Sequence, residues 1–508
     1  MTRGSRPNII ILQADQMAAH ALQLYGGFSA TPNLAGIADA GTVFENAYCN
    51  YPLCAPSRFS MMTGQLPMAI GAFDNAAELP ASLPTLAHYL RGAGYQTCLS
   101  GKMHFIGPDQ LHGFEERVTT EIYPSDFAWL PDWSSGEQSF APVRNSIETG
   151  GVCAWNMQLA FDEDVTFQAT RKIYEYARHP DDPFCLVVSL THPHHPFLVT
   201  PEYWEQFDHN EIPEPSVGRL PDSELDAHSE RARRLLGVHE TDVTSEQRRN
   251  ARHAYFAAIR YVDDKIGTVL GALEATGASD STAVFMVSDH GEMLGERGLW
   301  AKDCFFEWAM RIPFLMKLPG DGDRRRVSKN VSLVDLMPTI LDLAGVDVNA
   351  LSEPLAGNSL LADEADLSGR VLAEYSAEAA QSPMVMIRDG DYKFVHAETD
   401  SPMLFDLSTD PGELDNLAMS EGHTAIVDDL SGQVAEIWDL EELDVAIRLS
   451  QRRRSVVGDA LALGRHTSWD YEPERDYSDV YVRDASGGEI ADRRVRVPAK
   501  GYRLPGVD

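Results

Sequence analysis

Nearly continuous apolar runs alternate with amphipathic stretches along most of the chain. The most apolar runs are residues 7–15, 183–196 and 281–291. Each has the length of a strand and few polar positions, which is typical of strands buried on both faces of a parallel sheet. Residues 244–277 instead place apolar side chains at helical spacing, and Thr244 with Gln247 gives the capping-box pattern at the start. Residues 31–44 and 83–102 each predict a helix followed by a strand.

This alternation predicts the fold class. Strands separated by helices favour an α/β fold with a large, mostly parallel sheet sandwiched by helices. From about residue 370 the pattern changes to short strands separated by Asp-Gly and Asp-Pro turns, which predicts a smaller C-terminal subdomain with an antiparallel sheet. We expect a main domain over residues 1–370, an α+β subdomain over 371–445 and an extended tail over 446–508. The tail has no clear periodicity, and we expect it to make contacts between subunits.

The overall charge narrows the classes of partner. With 77 acidic and 42 basic residues, the chain has a formal net charge of −35. This argues against nucleic acid and anionic membranes as partners, because both need basic surfaces. No apolar run reaches the length of a membrane-spanning helix, and no signal peptide is recognisable. The six cysteines are scattered without a paired spacing, as in reduced proteins, so we expect a cytoplasmic location.

Polar side chains follow the three most apolar runs. Asp15 ends the first run, His194 lies at the end of the second, and Asp289 with His290 ends the third. In open α/β sheets ligands bind outside the carboxyl ends of the strands, so these positions are expected to converge on one edge. A single aspartate of this kind is often an ordinary strand cap, but three such ends together indicate a site. Two carboxylates and a histidine suit a divalent cation.

The segment from Cys54 to Arg58, Cys-Ala-Pro-Ser-Arg, is the most specific signal in the chain. A structural cysteine favours apolar neighbours, whereas Cys54 is followed by polar residues and then by Thr63-Gly64. This order resembles the sulfatase family of the alkaline-phosphatase-like group, in which a dedicated enzyme oxidises the cysteine of Cys-x-Pro-Ser-Arg to formylglycine. The resemblance implies an alkaline-phosphatase-like α/β fold, hydrolysis of a sulfate ester, and a formylglycine-generating enzyme as the partner for maturation.

Formylglycine explains why such a site needs an aldehyde rather than an alcohol. Its hydrate has two hydroxyls on one carbon: one attacks sulfur, and loss of the proton from the other reforms the aldehyde and releases sulfate. The resemblance also assigns roles by position. The metal ligands would be Asp15, Gln16, Asp289, His290 and the modified Cys54. The catalytic contacts would come from Cys54, Arg58, Lys102, His104, His194 and Lys302, and Asn75 is a weaker candidate for binding substrate.

Two positions depart from the common sulfatase pattern. Many members have Asp-Asp after the first strand, where this chain has Asp15-Gln16, and Asp-Asn after the later strand, where it has Asp289-His290. One carboxylate fewer would make the metal site less negative. The resemblance implies Ca²⁺ as the bound ion, and this loss of a carboxylate is what leaves Mg²⁺ and Mn²⁺ open.

The same variation occurs in choline sulfatases and in phosphonate monoester hydrolases. The resemblance to choline sulfatases extends over nearly the whole chain, whereas that to phosphonate hydrolases is mainly at the catalytic residues. The segments that resemble choline sulfatases are residues 99–132, 189–197, 288–307, 404–418 and 451–473. This branch implies choline O-sulfate as the substrate and a homodimer or homotetramer as the assembly.

Choline O-sulfate would require two features of the site. Its leaving group is an unactivated alkoxide, so a proton donor is needed, and His194 or His104 could supply it. Its quaternary ammonium favours aromatic faces with a carboxylate nearby. The candidates are Tyr123, Phe127, Trp129 and Trp133, with Glu378 as the anionic partner by resemblance. The alternatives are a phosphonate or phosphate ester hydrolase, a sulfatase for another small alcohol or an aryl sulfate, and a catalytically silent binding protein, which the intact motif disfavours.

Overall fold

The largest sheet of the protein has eight strands. It is seen in a computed structural model that describes residues 6–134, 143–238, 243–320, 322 and 324–464. The strands of the main domain are β1 Asn8–Asp15, β2 Thr42–Tyr48, β3 Gln96–Gly101, β4 Glu116–Arg117, β5 Gly151–Val152, β6 Phe184–Pro193, β7 Leu198–Val199, β8 Thr282–Ser288, β9 Phe314–Lys317 and β10 Arg325–Ser332. The order in the large sheet is β10-β2-β9-β8-β1-β6-β3-β4, and β5 pairs with β7. Among the described strand pairings of this sheet, those of β9 with β2 and β8 are antiparallel and the others are parallel. The predicted mostly parallel sheet is therefore confirmed.

Helices cover both faces of this sheet, as predicted. Those of the main domain are α1 Pro32–Asp39, α2 Cys54–Thr63, α3 Leu86–Gly92, α4 Arg144–Glu148, α5 Met157–Tyr176, α6 Pro201–Trp204, α7 Ala227–Leu235, α8 Ser245–Ala275, α9 Glu307–Met310 and α10 Leu336–Leu343. Side chains of β1 alternate between two cores: Ile10 packs with residues of α1, α5 and α8, and Ile11 with residues of α2, α3 and α10. The capping box of α8 is confirmed, because Thr244 Oγ1 accepts from the Gln247 N–H at 3.1 Å. None of the helices in the described ranges is long and apolar enough to span a membrane.

The three strands that were predicted to end in functional residues are neighbours at the centre of the sheet. β1 pairs in parallel with β6 on one side and with β8 on the other. The register places Ala14 opposite Ser288, so the carboxyl ends of β1 and β8 finish together. Asp15, His194 and Asp289 therefore lie at one edge of the sheet, which is the position that the strand pattern predicts.

The antiparallel C-terminal sheet is present. Its strands follow chain order: β11 Arg370–Tyr375, β12 Met384–Asp389, β13 Tyr392–Ala397 and β14 Asp400–Asp406, with α11 Thr424–Ile437 packed against them. Lys393 of β13 is buried, and its Nζ lies 2.6 Å from Glu307 Oε1 and 2.7 Å from Glu413 Oε1. This buried ion cluster joins the small sheet to the main-domain segment that follows Lys302.

The predicted tail begins as a helix. α12, Leu440–Leu461, crosses the expected boundary at residue 446. Residues 446–461 are therefore helical, whereas the prediction was an extended tail. The buried positions of α12 are Leu440, Ile447, Gln451 and Arg454. Half of these are polar, which hides the helical period from a search for apolar residues. Most of the predicted tail, residues 465–508, lies outside the described residues, and its contacts between subunits stay a prediction.

Candidate active site

Cys54 is the first residue of α2, at the edge of the sheet where the predicted site residues meet. Leu53 before it is extended, so the thiol lies at the N-terminal end of the helix. Only 1% of Cys54 is exposed. Its Sγ is 3.2 Å from His290 Nε2 and 3.8 Å from Asp15 Oδ1. The predicted nucleophile therefore lies among the predicted metal ligands.

A buried cluster of donor atoms surrounds this thiol. Asp15, Cys54, Asp289 and His290 each present one ligand atom, and these atoms all lie within 4.8 Å of one another. They come from β1, α2 and the segment after β8, which are widely separated in the sequence. Two carboxylates and an imidazole form a donor set that fits a hard or borderline divalent cation.

The two carboxylates of the cluster differ in their electrostatic surroundings. Burial raises the pKa of Asp15 to about 7, and the charge of Asp289 adds to this shift. Burial would also raise the pKa of Asp289, but the Arg58 guanidinium, whose Nε lies 2.8 Å from Asp289 Oδ2, holds it well below the usual range. Lys102 Nζ forms an ion pair with Asp15. Two buried carboxylates side by side repel each other, and a divalent cation between them would stabilise both as anions.

Gln16 joins the cluster to Lys302. Its backbone N–H donates to Asp289 Oδ1 at 3.0 Å, and its side-chain Oε1 accepts from Lys302 Nζ at 2.7 Å. The side-chain Nε2 donates to Glu292. With both ends of the amide bonded, the side chain orients Lys302, and coordination of an ion through Oε1 would compete with that bond. The role of Gln16 as a ligand stays a prediction.

Arg58 and Asn75 form hydrogen bonds with residues around the thiol. Arg58 bonds Asp289, and its Nη1 donates to the Lys102 carbonyl at 2.7 Å. Asn75 Oδ1 accepts from the Ala55 N–H at 3.0 Å, in the first turn of α2. Both residues therefore fix the parts of the chain that carry the predicted nucleophile and the predicted sulfate contacts.

Lys102 and His104 follow β3 and lie beside the cluster. Lys102 Nζ is 4.2 Å from the centroid of the Tyr123 ring, in addition to its ion pair with Asp15. His104 is fully buried, and neither ring nitrogen has a hydrogen-bond partner in the described parts of the chain. Burial and then the Lys102 charge hold the pKa of His104 well below its ordinary value, so its ring is neutral at pH 7. Such a ring has one donor and one acceptor available for a substrate oxygen.

His194 and Lys302 form a buried pair. Lys302 Nζ lies 3.1 Å from His194 Nε2, while His194 Nδ1 lies 2.6 Å from the His195 carbonyl and 3.0 Å from the Tyr123 hydroxyl. Burial and then the Lys302 charge hold the pKa of His194 well below its ordinary value. Because the ammonium can only donate, Nε2 accepts and the proton of the neutral ring is on Nδ1. The pair thus keeps its extra proton on Lys302.

The four predicted aromatic residues differ in what their rings contact. The ring of Trp129 lies edge-on to those of His104 and Tyr123, with centroids 5.4 Å and 5.3 Å away. Phe127 belongs to a separate small hydrophobic cluster. The Trp133 ring N–H donates to the carbonyl of Ala377, the residue before Glu378, at 3.3 Å, and its backbone N–H donates to a residue of α12. Tyr123 and Trp129 therefore lie beside His104, Trp133 lies next to the residue before Glu378, and their contact with substrate stays a prediction.

Glu378 follows β11 and is buried without a hydrogen bond to its side chain. It is 4% exposed, and neither carboxyl oxygen has a partner among the residues that the structure describes. Burial and then the charge of Asp303 raise its pKa well above the usual range, and Lys302 is a further nearby charge. A buried carboxyl group that no donor satisfies is a candidate partner for a cation that a ligand brings.

Three buried acidic residues that the sequence patterns did not single out complete the site. Glu121 Oε2 accepts from the His104 backbone N–H at 2.7 Å. Glu292 Oε1 accepts from the Ala301 N–H at 2.7 Å and so fixes the segment that precedes Lys302. Asp303 accepts from a tyrosine hydroxyl at 3.3 Å. All three are within two positions of a predicted residue, but acidic residues in loops are too common for this closeness in sequence to be a specific signal.

Comparisons with known proteins identify the family of the chain. The model of the sulfatase family matches residues 7–346, so the chain belongs to the sulfatase family, and it is a sulfuric ester hydrolase. Two further models match later parts of the chain: N-sulphoglucosamine sulphohydrolase, C-terminal, over residues 295–439, and choline sulfatase enzyme C terminal over residues 445–492.

Individual relatives locate the chain within the family. The choline-sulfatase of Rhizobium meliloti (strain 1021) is 42% identical over 98% of this chain and 99% of its own length. The arylsulfatase of Clostridium perfringens (strain 13 / Type A) is 27% identical over 83% of this chain and 92% of its own. Among solved structures, the phosphonate monoester hydrolase of Agrobacterium radiobacter has a TM-score of 0.68 at 23% identity, covering 88% of this chain and 96% of that one. The last likeness confirms the predicted fold.

Proposed function

We propose that the protein hydrolyses choline O-sulfate to choline and inorganic sulfate. The observation that carries this proposal is the buried Glu378, whose oxygens have no hydrogen-bond partner in the described residues. A quaternary ammonium has a positive charge but no N–H group. It is therefore stabilised by a nearby negative charge and does not need a hydrogen-bond acceptor in a defined geometry. Trp129 and Tyr123 offer the aromatic faces that such cations favour. The name of the Rhizobium meliloti relative supports the same substrate.

The pair of His194 and Lys302 is proposed as the source of the proton for the leaving alkoxide. A well-placed acid contributes about 10²–10⁴-fold when the leaving group is unactivated. Lys302 holds that proton 3.1 Å from His194 Nε2. His104 binds a sulfate oxygen through a ring nitrogen that has no partner in the described part of the chain. Lys102 adds positive charge near the sulfate, where negative charge develops.

Cys54 is proposed to be oxidised to formylglycine by a formylglycine-generating enzyme. Asp15, Asp289 and His290 are proposed to hold a divalent cation beside it, and Arg58 keeps Asp289 ionised for that role. The hydrated aldehyde supplies the attacking hydroxyl, and the cation supplies positive charge next to it. Ca²⁺ is the ion that we expect, and Mg²⁺ and Mn²⁺ are the alternatives, since donor sets rich in carboxylates suit all three.

A cytoplasmic homodimer or homotetramer is the proposed state of the protein. None of the six cysteines, all of which lie in the described residues, forms a disulfide, which suits a reducing compartment. Val445 and Val456 of α12 are 61% and 70% exposed, and exposed apolar side chains along one helix favour contacts between subunits. Size-exclusion chromatography with light scattering measures the assembly, and a monomer at micromolar concentration would reject it.

The experiment that tests the function compares kcat/KM for choline O-sulfate, an aryl sulfate and an aryl phosphonate. Mass spectrometry of the peptide that contains position 54 first establishes the fraction of formylglycine, so that rates refer to mature enzyme. We expect a strong preference for choline O-sulfate. A flat profile, or a preference for the phosphonate, would keep the nucleophile and metal residues but reject the choline pocket. The function would then be hydrolysis of phosphonate or phosphate esters, or of another sulfate.

A further inference from the structure

The segment that carries Asn75 has no regular secondary structure. Residues 71–85 form neither a helix nor a strand, so hydrogen bonds and side-chain contacts fix their position. The contact of Asn75 Oδ1 with the Ala55 N–H, at 3.0 Å, links this segment to the residue that follows Cys54. Any displacement of the segment therefore acts on the first turn of α2.

Arg454 of α12 holds this segment. Its Nη1 and Nη2 donate to the two carboxylate oxygens of Asp74, the second at 2.7 Å. The side chain of Asp74 is completely buried, and its Oδ1 also accepts from the Ala76 N–H at 2.9 Å. A two-bond guanidinium–carboxylate contact fixes orientation as well as distance. A chain of contacts thus runs from α12 through Asp74 and Asn75 to the start of α2.

The same helix supports the neighbouring segment of the site. Gln451 Oε1 accepts from the Trp133 backbone N–H at 3.1 Å. Leu461 packs on the small hydrophobic cluster that contains Phe127 and Ala76. These contacts lie on either side of Trp129 in the sequence. α12 therefore contacts both segments that carry predicted substrate residues, one around Asn75 and one around Trp129.

We propose that Arg454 is a positioning residue for the reaction: it fixes Asp74 so that Asn75 holds the first turn of α2, and with it position 54, in the reactive geometry. Arg454 lies beyond residues 7–346, which the sulfatase family model matches. The choice of choline O-sulfate as assay substrate rests on the proposed function, whereas the positioning role applies to any ester that the enzyme hydrolyses.

The physical reason is the burial of Asp74. Without the guanidinium, its carboxylate stays buried with no cation, which is strongly unfavourable. The segment then moves toward water, and this movement loosens the contact between Asn75 and Ala55. Because the disturbance reaches the reaction through position 54, we expect kcat to fall more than KM rises.

Three variants test this role: Arg454→Lys, Arg454→Gln, and the double variant Arg454→Gln with Asp74→Asn. The matched control is Val434→Ala, a buried residue of α11 in the hydrophobic core of the C-terminal sheet, away from the segment. We expect Arg454→Gln to lower kcat at least tenfold on both choline O-sulfate and an aryl sulfate. Arg454→Lys should give a smaller loss, the double variant should recover most of it because no charge is left unpaired, and Val434→Ala should stay within twofold.

Two measurements do not depend on turnover. Amide hydrogen exchange should become at least tenfold faster in residues 71–77 of Arg454→Gln while the central sheet is unchanged. In a Cys54→Ala background, where no nucleophile can form, calorimetry should show that Arg454→Gln changes the Kd of choline O-sulfate less than threefold. Exchange that rises throughout the protein would indicate general destabilisation and would overturn the proposal.

The remaining outcomes separate this proposal from the proposed function. A parent enzyme that acts on the aryl sulfate but not on choline O-sulfate would reject the choline pocket, and the variants are then compared on the aryl ester. A kcat of Arg454→Gln within twofold of the parent, or a loss equal to that of Val434→Ala at the same decrease in Tm, would overturn the positioning role. If Arg454→Gln does not fold, Arg454→Lys and the double variant decide by the same criteria.

Discussion

Replacing Glu378 with glutamine tests the charge that the proposed substrate would meet. The change keeps the size of a side chain that is 4% exposed and has no hydrogen-bond partner in the described residues. At a contact of about 4 Å, two unit charges attract by about 4 kcal/mol at an effective dielectric constant of about 20. Burial raises the pKa of Glu378 well above the usual range, so part of this attraction is needed to ionise the group. The full attraction corresponds to about 10³-fold in kcat/KM, so we expect Glu378→Gln to lower kcat/KM for choline O-sulfate by less than this.

A neutral copy of the substrate makes this measurement specific. In 3,3-dimethylbutyl sulfate the quaternary nitrogen is replaced by carbon, while the shape of the molecule and the leaving primary alkoxide are kept. We expect Glu378→Gln to lose activity on choline O-sulfate but not on the neutral ester, because only the first carries a charge. Glu436→Gln, an exposed position on α11, is the control and should change neither rate.

The pH dependence gives an independent check of the same group. Only ionised Glu378 attracts the cation, so kcat/KM of the parent for choline O-sulfate should rise with pH through the elevated pKa of Glu378. The neutral ester should lack this rise, and so should the Gln variant with either ester. Equal losses on the two esters, or identical pH profiles, would refute the assignment of Glu378 to a cation site.

Three further changes test other parts of the molecule. Cys54→Ser should lower turnover by roughly 10³-fold or more with little change in Tm, because serine cannot supply the second hydroxyl of the aldehyde hydrate; retained activity would contradict the assignment of the nucleophile. Lys393→Met leaves Glu307 and Glu413 buried without their cation, and urea unfolding should show a loss of about 3–5 kcal/mol, whereas a loss below about 1 kcal/mol would mean that the cluster contributes little. Burial would raise the pKa of Glu121, but a neighbouring guanidinium and backbone N–H donors lower it from 4.5 to about 2. Its ionised form therefore stabilises the fold by about 3 kcal/mol above pH 5, a contribution that is lost as pH falls toward 2, so Glu121→Gln should give a flatter dependence of Tm on pH in the acid range; an unchanged slope would argue against this role.

The edge of the sheet that carries the site could be predicted from the sequence because it follows from strands alone. Asp15, His194 and Asp289 each come after an apolar run, and parallel strands bring such ends together. Cys54 could be singled out because its neighbours form a specific motif. Both signals depend on residues that are close together in the sequence, so they can be recognised in a single sequence.

The side-chain contacts within the site are not local. Gln16 bonds Lys302 across 286 positions, and whether its amide faces the ion or the lysine depends on that distant partner. The carboxyl group of Glu378 is buried without a hydrogen-bond partner in the described residues. This depends on residues that are close in space rather than in sequence. The sequence pattern does not predict α12 for a related reason. Gln451 and Arg454 on its buried face are polar, so the buried positions of this helix do not form a periodic pattern of apolar residues.

The burial of Cys54 also sets a time limit on its chemical modification during protein synthesis. The thiol is 1% exposed, and the strands that flank β1 at the centre of the sheet, β6 and β8, end at residues 193 and 288. The site cannot close until that second strand has been made, which is more than 200 residues after Cys54. At about 5–20 residues per second this interval lasts roughly 10–50 s. A modifying enzyme that needs an accessible thiol must act within it or on unfolded chains, so slower translation should increase the active fraction of the purified protein.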